Sequence, residues 1–293
     1  PSAATIAARI GPRTRAVVVV HLAGNPAPMP EIMALCDARG LKVVEDCAQS
    51  WGARLDGKLV GTFSGIGAYS TNDFKHISTG DGGFVALADD TAYRHVSNYA
   101  DKYYDRLFDG TWARAHLGLN YRMSELQGAV ARAQLAKVDG ITSRQHDLGE
   151  AFRAGVAGLP GFRLMPLLPG AYSSYWWTTA EILPEQTTVS RDDWVKALQA
   201  EGVHASSYGR YDLIATRLFQ ERVVRPWVGD ERRHFPLNQP DGRVYTYNHS
   251  LVPNHRRWLD RGIMLSMSNK WSDQDIVEAV AGIRKVALAY GQV

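Results

Sequence analysis

A chain of 293 residues that is 45% hydrophobic and 22% charged has the composition of a soluble globular protein, with length for one large and one smaller domain. Its formal charge of +3 is spread without a long basic run, which argues against nucleic acid as a partner, and no apolar run nears the roughly 20 residues that cross a bilayer. No signal peptide opens the sequence, and Cys36 and Cys47 have neither metal nor redox spacing, so both read as reduced, packed thiols of a cytoplasmic protein, with a disulfide as the weaker reading.

The chain starts at Pro1 without a methionine, and its first clear element is a strand over residues 15–21. The run Val17, Val18, Val19, Val20 predicts a strand buried in a parallel sheet. Such a strand has neighbours on both sides, so the expectation is that sequence is missing upstream. A turn rich in Gly and Pro follows over residues 24–30, and Ile32, Met33, Leu35 and Cys36 recur at helical spacing until Gly40. Residues 41–45 read as the next strand. Strand, helix, strand implies a right-handed parallel crossover. Two more short strands are predicted over residues 65–70 and 83–88, and this alternation indicates an α/β domain whose ligands bind at the carboxyl ends of the strands.

A helix is predicted over residues 90–101, then an irregular aromatic stretch through Tyr103, Tyr104, Phe108 and Trp112. From Ser124 a strong helix follows, with Leu126, Val130, Ala133 and Val138 as its apolar stripe, and a second helical pattern runs over residues 142–157 until Gly158. Pro160 and Gly161 mark the best boundary, which divides the chain into a large domain over residues 1–158 and a smaller α+β domain over residues 159–293. In the latter, strands are predicted over 162–165, 174–183, 203–207 and 263–267. Helices are predicted over 191–201, capped by Ser190, and after Ser272, where Ile276, Val280, Ile283 and Ala287 share one face. Residues 222–239 read as loop.

Three residues carry the chemistry. Asp46 ends the strand in VVEDCAQSWGARLDG, Gln49 follows it, and Lys75 lies in GAYSTNDFKHISTGDGGF, just past the strand over residues 65–70. A carboxylate and a lysine held at separate strand ends match what pyridoxal 5'-phosphate requires: an amine to condense with its aldehyde and an acid to keep its ring nitrogen protonated. Taken singly, each has a plainer reading. Lys75 would be a solvated surface charge, Asp46 a salt bridge or helix cap, Ser70 a turn hydroxyl and Asn120 an N-terminal cap. No metal is expected, since the nine histidines form no ligand spacing and His249 with His255 is not a zinc pair. The segment GTFSGIG needs no nucleotide, and no Ser, His, Asp triad presents itself.

The stretches HLAGNPAPM, EDCAQSWGA, STNDFKHISTGDGGF and NYRMSELQGA, in that order, resemble the DegT/DnrJ/StrS sugar aminotransferases of fold type I, over residues 15–135 and more loosely to the closing helix. The resemblance implies an aspartate aminotransferase-like α/β large domain with a mainly parallel sheet. It makes Lys75 the Schiff-base lysine, Asp46 the partner of the pyridinium nitrogen, Gln49 a neighbour of the ring hydroxyl and Ser70 a phosphate ligand. Asn120 would reach the cofactor phosphate of a second subunit, which implies a homodimer with shared active sites.

The implied activity is transfer of an amino group from an amino acid, glutamate or glutamine, to a keto sugar, nucleotide-linked, or to a keto cyclitol. Relatives with histidine in place of the lysine act as sugar dehydratases; here the spacing from Ser70 puts Lys75 rather than His76 in the covalent position. Dehydration is the first alternative, and a binding or regulatory relative without catalysis the second. Asp81 stands where the family has glutamate, Ser266 replaces a common proline, and the upstream region that supplies a phosphate loop and a stacking aromatic is not found. Trp176 and Trp177 read as packing in the second domain. Arg222, Arg225, Arg232, Arg233, Arg256 and Arg257 could hold a diphosphate but read for the most part as a solvated face, and Tyr208 and Tyr211 could border the substrate.

Overall fold

The computed structural model describes residues 1–207, 212–221 and 246–291. In chain order the elements are α1 (Ala3–Ala7), β1 (Ala16–Val20), α2 (Met29–Asp37), β2 (Lys42–Asp46), β3 (Arg54–Leu55), β4 (Lys58–Leu59), β5 (Ile66–Ser70), β6 (Gly83–Leu87), α3 (Asp90–Ala100), α4 (Glu125–Leu135) and α5 (Val138–Gly155). They continue with β7 (Phe162–Leu164), β8 (Ala171–Tyr172), β9 (Thr178–Ile182), α6 (Arg191–Ala200), β10 (Ala205–Ser207), α7 (Arg217–Gln220), α8 (Pro253–Arg261), β11 (Gly262–Leu265) and α9 (Asp273–Tyr290). Two compact units result: Pro1–Ala151 with Pro166–Thr178 and Met267–Asp273, and Phe152–Met165 with Thr179–Ser266 and Gln274–Val293.

In the first unit the sheet order is β1-β2-β5-β6. The first two pairings are parallel and the last antiparallel, so the sheet is mainly parallel, as expected from the sequence. Register places Val20 opposite Asp46 and Asp46 opposite Ala68, which brings the carboxyl ends of β1, β2 and β5 to one edge. Helix α2 begins at a Pro28 cap with Pro30 in its first turn, where a missing N–H costs nothing. Its Met29, Ile32 and Cys36 pack with Val19, Ala27 and Val43 into one core cluster. Gly67 is required by packing: a Cβ there would stand 2.6 Å from the Gly61 carbonyl oxygen. Both cysteines are free and buried, and burial pushes the Cys47 thiol up to about 12.

Two expectations of burial need correction. Strand β1 is not buried on both faces: Val19 is covered while Val18 is 64% exposed, because α2 packs on the face that carries Val17 and Val19. Helix α4 forms where predicted, with Ser124 and Gln127 in a reciprocal capping box, but Ala131 is its buried residue and Leu126 of the expected stripe is 81% exposed.

In the second unit the order is β10-β11-β9-β7. Trp194 of α6 is fully buried, stacked at 6.3 Å on Phe162 and edge-on at 5.8 Å to Tyr290. Ile276, Ile283 and Ala287 of α9 are buried as expected, and Val280 lies against Gly155. The short pairings of β3 with β4 and β8 had no sequence signal, being too brief to show a period, and helix α8 was missed because Trp258 and Leu259 are its only large apolar residues. The strand predicted from residue 174 begins only at Thr178; residues 173–177 form an irregular strap in the first unit.

Candidate active site

At the carboxyl edge of the sheet, Asp46 closes β2 and its Oδ1 accepts from the Ala48 N–H at 3.0 Å. Among the described residues its carboxylate makes no ion pair, which leaves an anion at a strand end with capacity for a cationic donor. Gln49, one turn further, accepts from the Ala23 N–H through Oε1 at 2.8 Å, so its amide nitrogen is the end left to donate. Ser70 closes β5; its carbonyl accepts from Trp51 Nε1 at 2.9 Å, and its Oγ accepts from the Asn72 N–H at 3.3 Å.

Lys75 follows in a turn, with its amine 4.0 Å from the centroid of the Trp176 ring. Burial lowers its pKa and the charge of Asp46 works in the opposite direction; the net direction is down. That coupling places the amine within the field of the carboxylate. The structure therefore corrects the reading of Trp176 and Trp177: both belong to the first unit, and one of them faces the lysine. Nothing in the sequence could show this, since 101 positions separate Lys75 from Trp176.

The strap that carries Trp176 is closely held. Ser173 Oγ donates to the Gly24 carbonyl at 3.1 Å, Ser174 N–H donates to the same oxygen at 3.1 Å, and Gln145 donates to the Tyr175 carbonyl at 2.8 Å. Tyr175 adopts φ +45° and its ring lies against Gly149, where any Cβ would meet it at 2.3 Å. His76 donates through Nε2 to the Ser174 carbonyl at 3.0 Å, which makes Nδ1 the unprotonated nitrogen. That Nδ1 is sealed from solvent and has no partner among the described residues. Burial depresses His76 to about 4; the Ser174 bond opposes it, and the neighbouring Lys75 charge adds a smaller push in the same direction as burial.

Beneath Asp46 lies a buried pair that the sequence reading did not single out. Glu45 accepts from His21 Nε2 at 3.2 Å, Gly61 N–H at 2.6 Å, Ser64 N–H at 2.8 Å and Ser64 Oγ at 3.0 Å. His21 Nδ1 accepts from Ala27 N–H at 3.0 Å, so Nε2 carries the proton. Burial pushes Glu45 up, but these hydrogen bonds together outweigh it and hold the carboxyl below its usual range. The backbone N–H of His21 also bonds the Asp46 carbonyl at 3.1 Å, which ties the two strand ends together.

Asp46, Gln49, Ser70 and Lys75 thus come from adjacent strand ends. Asn120 does not join them: it is exposed, bridges Asp101 and accepts from Arg122 at 3.2 Å. Arg256 pairs with Asp260 and Arg257 with the buried Glu181, and both arginine side chains stay about half exposed. Arg222, Arg225, Arg232, Arg233, Tyr208 and Tyr211 lie outside the described residues. His249 and His255 converge on Asp212, at 2.8 Å and 3.6 Å.

A mainly parallel sheet that delivers a carboxylate and a lysine amine to one edge has the architecture of the aspartate aminotransferase-like fold. The pattern defining the DegT/DnrJ/EryC1/StrS aminotransferase family matches residues 1–226, and the chain belongs to that family. It is 31% identical over 240 residues to GDP-perosamine synthase of Vibrio cholerae, covering 79% of this chain and 62% of that protein. It is 27% identical over 282 residues to a putative L-glutamine:3-amino-2,3-dideoxy-scyllo-inosose aminotransferase of Micromonospora echinospora, covering 93% of this chain and 65% of that one. Among solved structures, S. venezuelae DesV superposes with a TM-score of 0.77 at 25% identity, over 97% of this chain and 68% of DesV. The chain therefore spans less than two thirds of the length of these two curated relatives.

Proposed function

We propose that this chain belongs to a pyridoxal 5'-phosphate aminotransferase that moves an amino group from glutamate or glutamine to a keto sugar, nucleotide-linked, or to a keto cyclitol. The observation that carries this reading is the Lys75 amine, half-buried, without a carboxylate partner among the described residues, and within the field of Asp46. The donor set fits the cofactor. Lys75 would hold its aldehyde, the Asp46 carboxylate its protonated ring nitrogen, and the Gln49 amide nitrogen its ring oxygen. Ser70 Oγ, described only as an acceptor, keeps its hydrogen for a phosphate oxygen. Bound there, the cofactor would supply the electron sink that lets a substrate C–H bond ionise.

The residues of the chain do the remainder. A lysine whose pKa is lowered by burial keeps a larger neutral fraction near pH 7, so Nζ can take and return a proton. Asp46 would hold the proton on the cofactor's ring nitrogen. Support for the substrate class comes from the names of the relatives, one a nucleotide-sugar enzyme and the other a glutamine-dependent cyclitol enzyme. A homodimer is supported by the exposed aromatic pair beside Asn120, Tyr99 and Tyr121, whose ring centroids lie 6.5 Å apart. Asn120 of a second copy would then reach the cofactor phosphate.

The test is a spectral titration of purified protein with pyridoxal phosphate, then with glutamate and glutamine, comparing wild type with Lys75→Ala. The expected result is a visible absorption band in the wild type that a donor bleaches and that Lys75→Ala lacks. An equal band in Lys75→Ala, or a band that neither donor bleaches, overturns the reading in favour of dehydration or binding alone.

A further inference from the structure

We propose that Trp176 is a positioning residue for the Lys75 amine, its indole face receiving the ammonium whenever that amine is protonated and not covalently engaged. This rests on the reading of Lys75 as the cofactor lysine. Lysine has a flexible four-carbon stem and a strongly hydrated head, so an amine released from a bond would swing toward water unless something local holds it. Among the described residues no carboxylate lies within ion-pair distance of it; the indole ring does lie under it, at 4.0 Å from Nζ to the centroid.

The arrangement is built rather than incidental. Trp176 Nε1 donates to the carbonyl of Phe74 at 2.7 Å, and His76 Nε2 donates to the carbonyl of Ser174 at 3.0 Å. The residues on either side of Lys75 are therefore bonded to the strap on either side of Tyr175, which registers the lysine against residue 176. Trp177 backs the indole with a ring centroid 3.9 Å away, and the strap itself is anchored to Gly24, Asn25 and Gln145. The groups whose charge couples to the amine are Asp46 on β2 and His76 beside it. A π face suits this task better than a carboxylate in contact would. It biases the amine toward the ammonium by only a few-fold, so the amine is held over the site yet released again for bond formation.

The test uses the cofactor-free protein and asks how fast Lys75 reacts with trace acetic anhydride from pH 6 to 10, read by peptide mass spectrometry. Trp176→Leu keeps an apolar wall and removes the π face; Trp176→Phe keeps a ring. Near pH 7.5, Lys75 should label about 2- to 5-fold faster in Trp176→Leu than in wild type, with Trp176→Phe closer to wild type than to Leu. Equal or slower labelling in Trp176→Leu, or a change as large in Trp176→Phe, overturns the proposal. Should the Leu variant not fold, the wild type decides: the Trp176 indole N–H resonance must titrate with the labelling midpoint of Lys75, and a resonance that ignores that midpoint refutes the contact. Borohydride trapping of pyridoxal phosphate is run in parallel. Absence of a Lys75 adduct in the wild type sinks the cofactor assignment, whereas the labelling rates report on Trp176 alone.

Discussion

His76 makes the acid limb of stability a measurable consequence of the site. Its Nε2 is committed to the Ser174 carbonyl and its Nδ1 is sealed without a partner, so protonation would add a buried charge beside Lys75. Burial therefore depresses the group to about 4, against roughly 6.5 for a histidine in the unfolded chain. Between those values the unfolded chain binds more protons than the folded one, so stability falls as pH drops through the window and the slope ends near the folded value. At about 1.4 kcal/mol per unit, the 1.5 units from pH 6.5 down to pH 5 amount to roughly 2 kcal/mol. Urea unfolding at pH 7, 6 and 5 should show that loss in wild type. His76→Gln, which removes the titration and retains an amide donor for Ser174, should be flatter by about the same amount. Glu45 does not confuse the comparison. Its folded pKa is depressed, so its contribution is present above its unfolded value, about 4.3, and is lost only below that. Equal losses in the two proteins between pH 7 and 5 would refute the argument.

Other outcomes follow from the same geometry. Asp46→Asn should weaken retention of pyridoxal phosphate by roughly 10- to 100-fold, the worth of a hydrogen bond to a charged group, in an equilibrium dialysis comparison with wild type. Glu45→Gln replaces one carboxylate oxygen with an NH2 donor that must face the N–H groups of Gly61 or Ser64, or His21 Nε2–H, and should cost about 2–4 kcal/mol in urea unfolding at pH 7 with an unchanged m-value. Gly67→Ala drives a Cβ into the Gly61 backbone and should cost about 2–3 kcal/mol. Gly57→Ala meets open space at φ +78° and should cost about 1–2 kcal/mol, so a reversed order in thermal melts would contradict the packing described. Ser124→Ala removes the capping box of α4 and should lower stability by about 1 kcal/mol in the same melts.

Much of this protein is written in local sequence. Strands β1, β2, β5 and β6 and helices α2, α3, α4, α6 and α9 lie within a few residues of their predicted positions, because apolar periodicity, Gly and Pro stops and Ser caps act over one or two turns. The order of strand, helix, strand carries the parallel crossover with it, and so brings Asp46 and the strand before Lys75 to one edge of a sheet. The family is legible for the same reason, since each of its motifs is a short contiguous run.

Burial and long-range contact are a different matter. The stripe on α4 and the valines of β1 have the right period, yet periodicity states which residues share a face and not what covers it; Leu126 and Val18 are exposed. The strap over residues 173–177 has no period at all, and its place beside Lys75 depends on bonds to Gly24, Asn25 and Gln145, drawn from distant parts of the chain. Hence the chain's own letters determined the sheet, the acid and the amine. Only folding decided that Trp176 would lie over that amine, because hydrogen bonds between segments about a hundred residues apart are set by three-dimensional packing and leave no signature in local sequence.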